Sequence, residues 1–248
     1  MDKVLEVKAL KKEYKGFVLD EVSFCVEPKS VVGFIGTNGS GKSTTIKSIL
    51  GLINSKSDLI NYFGLPFKSN EKIIKKRLGI VLDDGCFYET LTINQMKNVI
   101  APAYDNWEEN VFNELLFRFG LNSKQKLSTL SKGMKMKFSI ALALAHHAEL
   151  IIMDEPTSGL DPLTRNELVL LLQQIVKKEN CSIFFSTHII SDLEKVADKI
   201  IFIDKGKIVF DKNKNDLLSE YRAVLDKEDI SIEDIMLYHI KGESWNDF

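Results

Sequence analysis

The chain has 248 residues, 44% hydrophobic and 27% charged, with a formal net charge of −2. That balance describes a globular protein with a sizeable core, not a disordered polymer, and it gives no reason to expect a nucleic-acid partner, which would favour a basic face. No run of about 18 apolar residues occurs, which excludes a bilayer-spanning helix. The start Met1-Asp2-Lys3 leads into strand-like residues rather than a secretory leader, and the scattered Cys25, Cys86 and Cys181 fit a reducing compartment.

In chain order, Val4 to Val7 and Val18 to Val26 alternate as half-buried strands of a meander. Ser30 to Ile35 is almost continuously apolar, the pattern of a central strand covered on both faces. A glycine-rich loop from Gly36 to Gly41 follows, then a helix from Lys42 to Leu50 stopped by Gly51. Leu59 to Phe63 and Leu78 to Leu82 read as further strands. From about Asn94 to Ala145 the spacing is helical, with Trp107, Phe112, Phe117 and Phe119 as rings for a local core. Strand and helix then alternate: strand Leu150 to Met153, helix Pro162 to Glu179, strand Ser182 to Ser186, helix Ile189 to Ala197. A hairpin from Ile200 to Phe210 turns at Asp204-Lys205-Gly206-Lys207. Beyond Asp211 a lysine-rich stretch leads to Ser231-Ile232-Glu233-Asp234, a helix-capping start.

Two of these junctions carry chemistry. Gly36-Thr37-Asn38-Gly39-Ser40-Gly41-Lys42-Ser43 fits G-x-x-x-x-G-K-[ST] with a strand before and a helix after, and Thr44 continues the helix. Glycines let backbone N–H groups close on phosphate oxygens, and the helix start adds a positive dipole end. Lys42 supplies a point charge to the β- and γ-phosphates and Ser43 a hydroxyl to Mg²⁺, so the loop predicts a nucleoside triphosphate ligand. Asp154-Glu155 follows a buried strand, so both carboxylates should emerge beside that loop. Asp154 suits Mg²⁺, and Glu155 suits a general base toward water.

A third element, Leu130-Ser131-Lys132-Gly133-Met134, lies between the phosphate loop and the acidic strand. With the motifs above, in this order, the chain resembles the ABC ATPase family over essentially its whole length. The resemblance implies an α/β fold: a P-loop NTPase core with an N-terminal antiparallel β subdomain and an inserted α-helical subdomain. It places the ATPase domain at residues 1–210, the insertion at 84–145 and a short extension at 211–248. It also implies that ATP with Mg²⁺ clamps a dimer, homodimeric or heterodimeric. Each site would then take Ser131, Lys132, Gly133 and Met134 from the partner's signature loop. Tyr14 stands where the family stacks an aromatic on adenine. His188, after Phe184-Phe185-Ser186-Thr187, resembles the histidine that contacts the γ-phosphate. Asp161, closing Ser158-Gly159-Leu160-Asp161, resembles the residue that communicates across the dimer.

Three departures stand out. Asp83 replaces the usual glutamine and becomes a possible Mg²⁺ donor, Lys132 replaces the first signature glycine, and Met134 replaces a glutamine. The subgroup resembled is that of multidrug or antimicrobial-peptide exporter subunits. This implies separate membrane permease subunits, a cytoplasmic place on the inner membrane face, and a docking groove to which Phe87 and Tyr88 are candidate contributors. The alternative is a soluble single-cassette ATPase of cofactor assembly or regulation.

Overall fold

The computed structural model describes residues 3–82 and 87–241. Strands β1 (Leu5–Tyr14) and β2 (Phe17–Val26) form a long hairpin, followed by β3 (Val31–Ile35) and helix α1 (Lys42–Ile49). Next come β4 (Leu59–Tyr62), the short β5 (Leu65–Pro66), α2 (Phe67–Lys75) and β6 (Leu78–Val81). A helical stretch holds α3 (Ile93–Ile100), α4 (Glu109–Arg118) and α5 (Lys132–Ala145). The chain then runs through β7 (Leu150–Asp154), α6 (Pro162–Lys178), β8 (Ser182–Thr187), α7 (Ile190–Val196), β9 (Lys199–Asp204) and β10 (Lys207–Asn213). It closes with α8 (Lys214–Leu225) and α9 (Ile232–Lys241).

Two sheets result. One is antiparallel, in the order β2-β1-β4-β5; the other runs β10-β9-β3-β8-β7-β6, parallel except for β10. The strand alternation decides what covers each face of the larger sheet. Val31 and Ile35 of β3, Ile151 and Met153 of β7, and Ile183 and Phe185 of β8 join a core with α5, α6 and α7. Their neighbours Val32, Phe34, Leu150, Ile152 and Phe184 point the other way, against α1 and the antiparallel sheet. Phe24 of β2 packs its ring against Phe34 and Phe184, at centroid distances of 5.8 and 5.2 Å, and so joins the two sheets. Double coverage is why β3, β7 and β8 read as unbroken apolar runs.

Helix α5 is shared between two cores. Met136, Ile140 and Ala143 face the sheet, while Phe138, Ala141 and Ala145 pack with Ile93, Phe112 and Leu116 of the helical layer. Of the four expected core rings, Phe112 is buried and Trp107 and Phe119 lean on it, but Phe117 is 89% exposed. The expectation for Phe117 is therefore corrected. Phe112 and Leu116, four apart, define the buried stripe of α4, and the next residue lies about 100° around the helix.

Beyond residue 210, β10 continues to Asn213, and Leu217, Tyr221, Ile232 and Ile235 are buried in the sheet–helix core. The α9 start is capped as its sequence suggested: Ser231 Oγ accepts from Asp234 N at 3.1 Å, and Asp234 accepts from Ser231 N at 2.9 Å.

The β9–β10 hairpin turns on Lys205 and Gly206, both at positive φ (44° and 78°), the geometry of a tight hairpin. A Cβ on Gly206 would lie 1.9 Å from the Val18 carbonyl oxygen, and Gly206 N donates to Ser40 O of the phosphate loop at 2.9 Å. Gly64 shares the φ of 78° but has open space around it. Gly206→Ala should cost about 2 kcal/mol or more in urea unfolding and Gly64→Ala about 1, because only the first adds a backbone collision to the left-handed strain.

Candidate active site

Strands β3, β7 and β8 are parallel neighbours, so their carboxyl ends open on one edge of the sheet, where ligands of such sheets bind. From β3 the chain enters the glycine loop. A Cβ on Gly36 would meet Ile203 O and Ser40 Oγ at 2.4 Å, so the loop's first turn has no room for a side chain. Gly41, at φ 115°, is the N-cap of α1 and provides no side-chain cap, leaving the first helical N–H groups available to an anion. Thr45 fixes the helix start by donating to Gly41 O at 2.9 Å. Lys42, 6% exposed, folds back over the loop and donates to the carbonyls of Gly36 (2.8 Å) and Thr37 (3.3 Å).

From β7 come the acids. Asp154 is buried and accepts from Ser186 Oγ at 2.6 Å. Glu155 stands at φ 49°, its N–H directed at Ser186 Oγ (3.0 Å) and Ser186 O (3.2 Å). Ser186 of β8 therefore holds both acids, one by its hydroxyl hydrogen and the other by its oxygens. That role was not foreseen. The signal was a serine directly after the apolar Ile183-Phe184-Phe185 run. From the end of β8, His188 Nδ1 lies 2.7 Å from Glu155 Oε2, and Glu155 Oε1 lies 3.2 Å from Lys42 Nζ.

These groups border a cavity of about 660 Å³. Asn38, Gly39, Gly41, Lys42, Ser43 and Thr44 form one wall, Glu155, Ser158 and His188 another, and Gly16 and Phe17 the rim. Gly36, Thr37 and Ser40 are not among the lining residues, but the first two accept from Lys42 through their carbonyls. Tyr14 is not among the lining residues. It pairs with Phe17 across the β1–β2 hairpin and carries Lys12 Nζ over its ring at 5.1 Å. Asp83 lies outside the described residues.

The signature residues stand apart from this cavity. Ser131 is the N-cap of α5, accepting from Met134 N at 3.2 Å, and Lys132 opens the helix. Gly133 is fixed by packing, since a Cβ there would lie 2.5 Å from Thr164 Cγ2 of α6. Asp161 caps α6, accepting from Leu163 N and Thr164 N at 3.1 Å, and hydrogen bonding from Thr164 holds its carboxyl below the usual range.

Elsewhere, His146 is buried, stacks on Tyr104 at 3.7 Å and has its pKa lowered by burial. His147 pairs with Glu108 and His239 with Tyr221, so these three histidines are structural. A second cavity, of about 310 Å³, lies where β6 meets the helical layer. Phe87, Met96, Ile100 and Tyr104 line it, whereas Tyr88 is exposed and does not. Among the described residues no helix is long and apolar enough to cross a membrane.

A sequence profile described as ABC transporter matches residues 19–158, more than half of the chain. The chain belongs to the ABC transporter family. Among its relatives, the bacitracin transport ATP-binding protein BcrA of Bacillus licheniformis is 37% identical over 77% of this chain; the match spans 63% of that protein. The ABC-type transporter ATP-binding protein EcsA of Bacillus subtilis (strain 168) is 33% identical over 97% of this chain and 98% of its own length. A solved structure of the ATP-binding subunit of an ABC transporter superposes with a TM-score of 0.82 at 29% identity, covering 94% of this chain and 98% of that one. As an ABC transporter ATP-binding subunit, the chain binds and hydrolyses ATP.

Two substitutions probe the site. Lys42→Ala removes the buried cation and should weaken ATP binding roughly 10-fold or more, read by equilibrium titration. Ser186→Ala leaves both acids without their shared support and should lower turnover about 10-fold or more with a smaller change in ATP affinity.

Proposed function

We propose that the chain is the motor of an export system. It binds ATP with Mg²⁺, pairs with a second cassette, identical or closely related, and drives export through separate integral membrane subunits. What chiefly supports this is the division of the chemistry. Phosphate loop, Glu155 and His188 share one cavity, while the Ser131-capped start of α5 is not among its lining residues, which supports its serving a neighbour's nucleotide.

In this reading the loop N–H groups and Lys42 hold the phosphates, with Thr44 completing the wall. Tyr14 stacks on adenine, and Phe17 stands beside it at the cavity rim. Ser43 and Asp154 offer the hard oxygen donors that Mg²⁺ prefers, with Asp154 already oriented by Ser186. The ion would neutralise phosphate charge as the terminal bond breaks. Glu155 takes the proton of the attacking water and His188 contacts the γ-phosphate. Ser131 and Gly133 of the partner close the cage with N–H groups at a helix N-terminus, Lys132 adds charge, and Met134 packs nearby. Asp161, rigid as a cap, links the two sites. Loss of the γ-phosphate removes contacts from both halves and opens the pair.

The second cavity, with Phe87 in its wall, is the proposed seat of a short helix from the membrane subunit, which would hold the chain on the inner face of the membrane. The bacitracin relative favours an antimicrobial peptide as cargo. Nucleic acid has no place in this scheme. A role in cofactor assembly is the weaker reading, since the relatives are ATP-binding subunits of transport systems.

Glu155→Gln should bind ATP yet turn over roughly 10²-fold more slowly or worse, and should accumulate as an ATP-bound dimer in light scattering. Near-normal hydrolysis would remove Glu155 as the base, and a strictly monomeric variant with no cousin cassette in co-purification would remove the motor.

A further inference from the structure

One carboxylate occupies the centre of the candidate site. Glu155 Oε1 lies 3.2 Å from Lys42 Nζ, and Glu155 Oε2 lies 2.7 Å from His188 Nδ1. Lys42 donates to the carbonyls of Gly36 and Thr37, and its remaining partner is the Glu155 carboxylate, held as an ion pair. Glu155 and Lys42 side chains are only 14% and 6% exposed, so salt and water screen their attraction little. The carboxylate is also aimed by the backbone. Glu155 sits at a left-handed φ of 49° that costs energy for a non-glycine residue, and Ser186 pins its N–H.

We propose that the Glu155 carboxylate is the internal competitor of the nucleotide's terminal phosphate, and that it thereby sets the preference of this chain for a triphosphate over a diphosphate. The inference rests on the reading of the cavity as the nucleotide's. A carboxylate and a phosphoryl group share sign and acceptor character, so they compete for the charge of Lys42 and for His188. A third phosphoryl group can replace Glu155 at both partners. A diphosphate lacks the group that would take over His188, and it leaves that contact in place. The exchange has a second consequence: the displaced carboxylate becomes free to accept a proton from water. Base and terminal phosphate therefore arrive together, and the base is withheld while no terminal phosphate is present to attack.

The test compares equilibrium binding of ADP and of a non-hydrolysable imido analogue of ATP to the full chain, at protein concentrations where light scattering reports monomers. Wild type, Glu155→Gln and Glu155→Asp are measured. Competition predicts analogue affinity rising roughly 5-fold or more in both variants, with a clearly smaller gain for ADP, which reaches Lys42 but not His188. Aspartate keeps the charge beside a bound phosphate but is one methylene too short to span Lys42 and His188. If Glu155→Asp binds like wild type while Glu155→Gln binds tighter, repulsion in the bound complex explains the gain and the proposal is overturned. Equal gains for ADP and the analogue, or no gain in either variant, overturn it as well. Failure of the underlying reading has a different signature: wild type itself would bind neither probe, or Lys42→Ala would bind both as wild type does.

Discussion

The structure depends on the parallel alignment of β7, β8 and β3 inside a sheet covered on both faces. A strand buried on both sides can carry polar groups only where it ends, and parallel neighbours end on the same edge. Burial thus does more than stabilise this chain. It forces Gly36, Asp154, Glu155 and His188, which are far apart in sequence, to emerge side by side. The Phe24, Phe34 and Phe184 rings hold the antiparallel sheet against this core, which brings Gly16 and Phe17 to the cavity rim.

Placing acids and a lysine on a nearly dry edge would be costly without partners. The chain meets this with short polar links rather than with solvent. Ser186 supports Asp154 by donation and Glu155 by acceptance, and Lys42 donates to loop carbonyls while its charge pairs with Glu155. The loop is braced in turn by Gly206, so the β9–β10 hairpin belongs to the site without touching its cavity. Each link is short in space but joins elements distant in the chain, which makes the site sensitive to changes in the fold beneath it.

This distinction explains what was legible in the sequence. The apolar runs of β3, β7 and β8, the glycine loop and the Asp204–Lys207 turn declare themselves, because each is governed by local chemistry at fixed spacing. Ser186 did not, because a serine in a buried strand has meaning only once the facing strand is known. Phe17 escaped for a similar reason: its place at the rim depends on how a whole sheet docks. Phe117 misled because composition shows that a helix is rich in aromatics but not which of them face inward; Phe112 and Leu116 settle that by their spacing of four. The bridge from Lys42 through Glu155 to His188 joins the start of α1 to the ends of β7 and β8, and no spacing rule reaches across it.

Lys132 raises an electrostatic question that the fold helps to answer. It is the first residue of α5, where the helix dipole is positive, and no acidic residue lies in that first turn. A cation there is disfavoured by about 0.3–1 kcal/mol, whereas an anion is favoured by a similar amount. Gly133, pressed against Thr164, and Ser131, capping the helix, fix the backbone so that the site cannot relax by rearranging. Lys132 reaches toward the loop before α6, where a Cβ on Gly159 would lie 3.8 Å from its ammonium nitrogen. On the proposed reading, the turn offers a partner's nucleotide a backbone held from two sides, by the Ser131 cap and by the Thr164 contact.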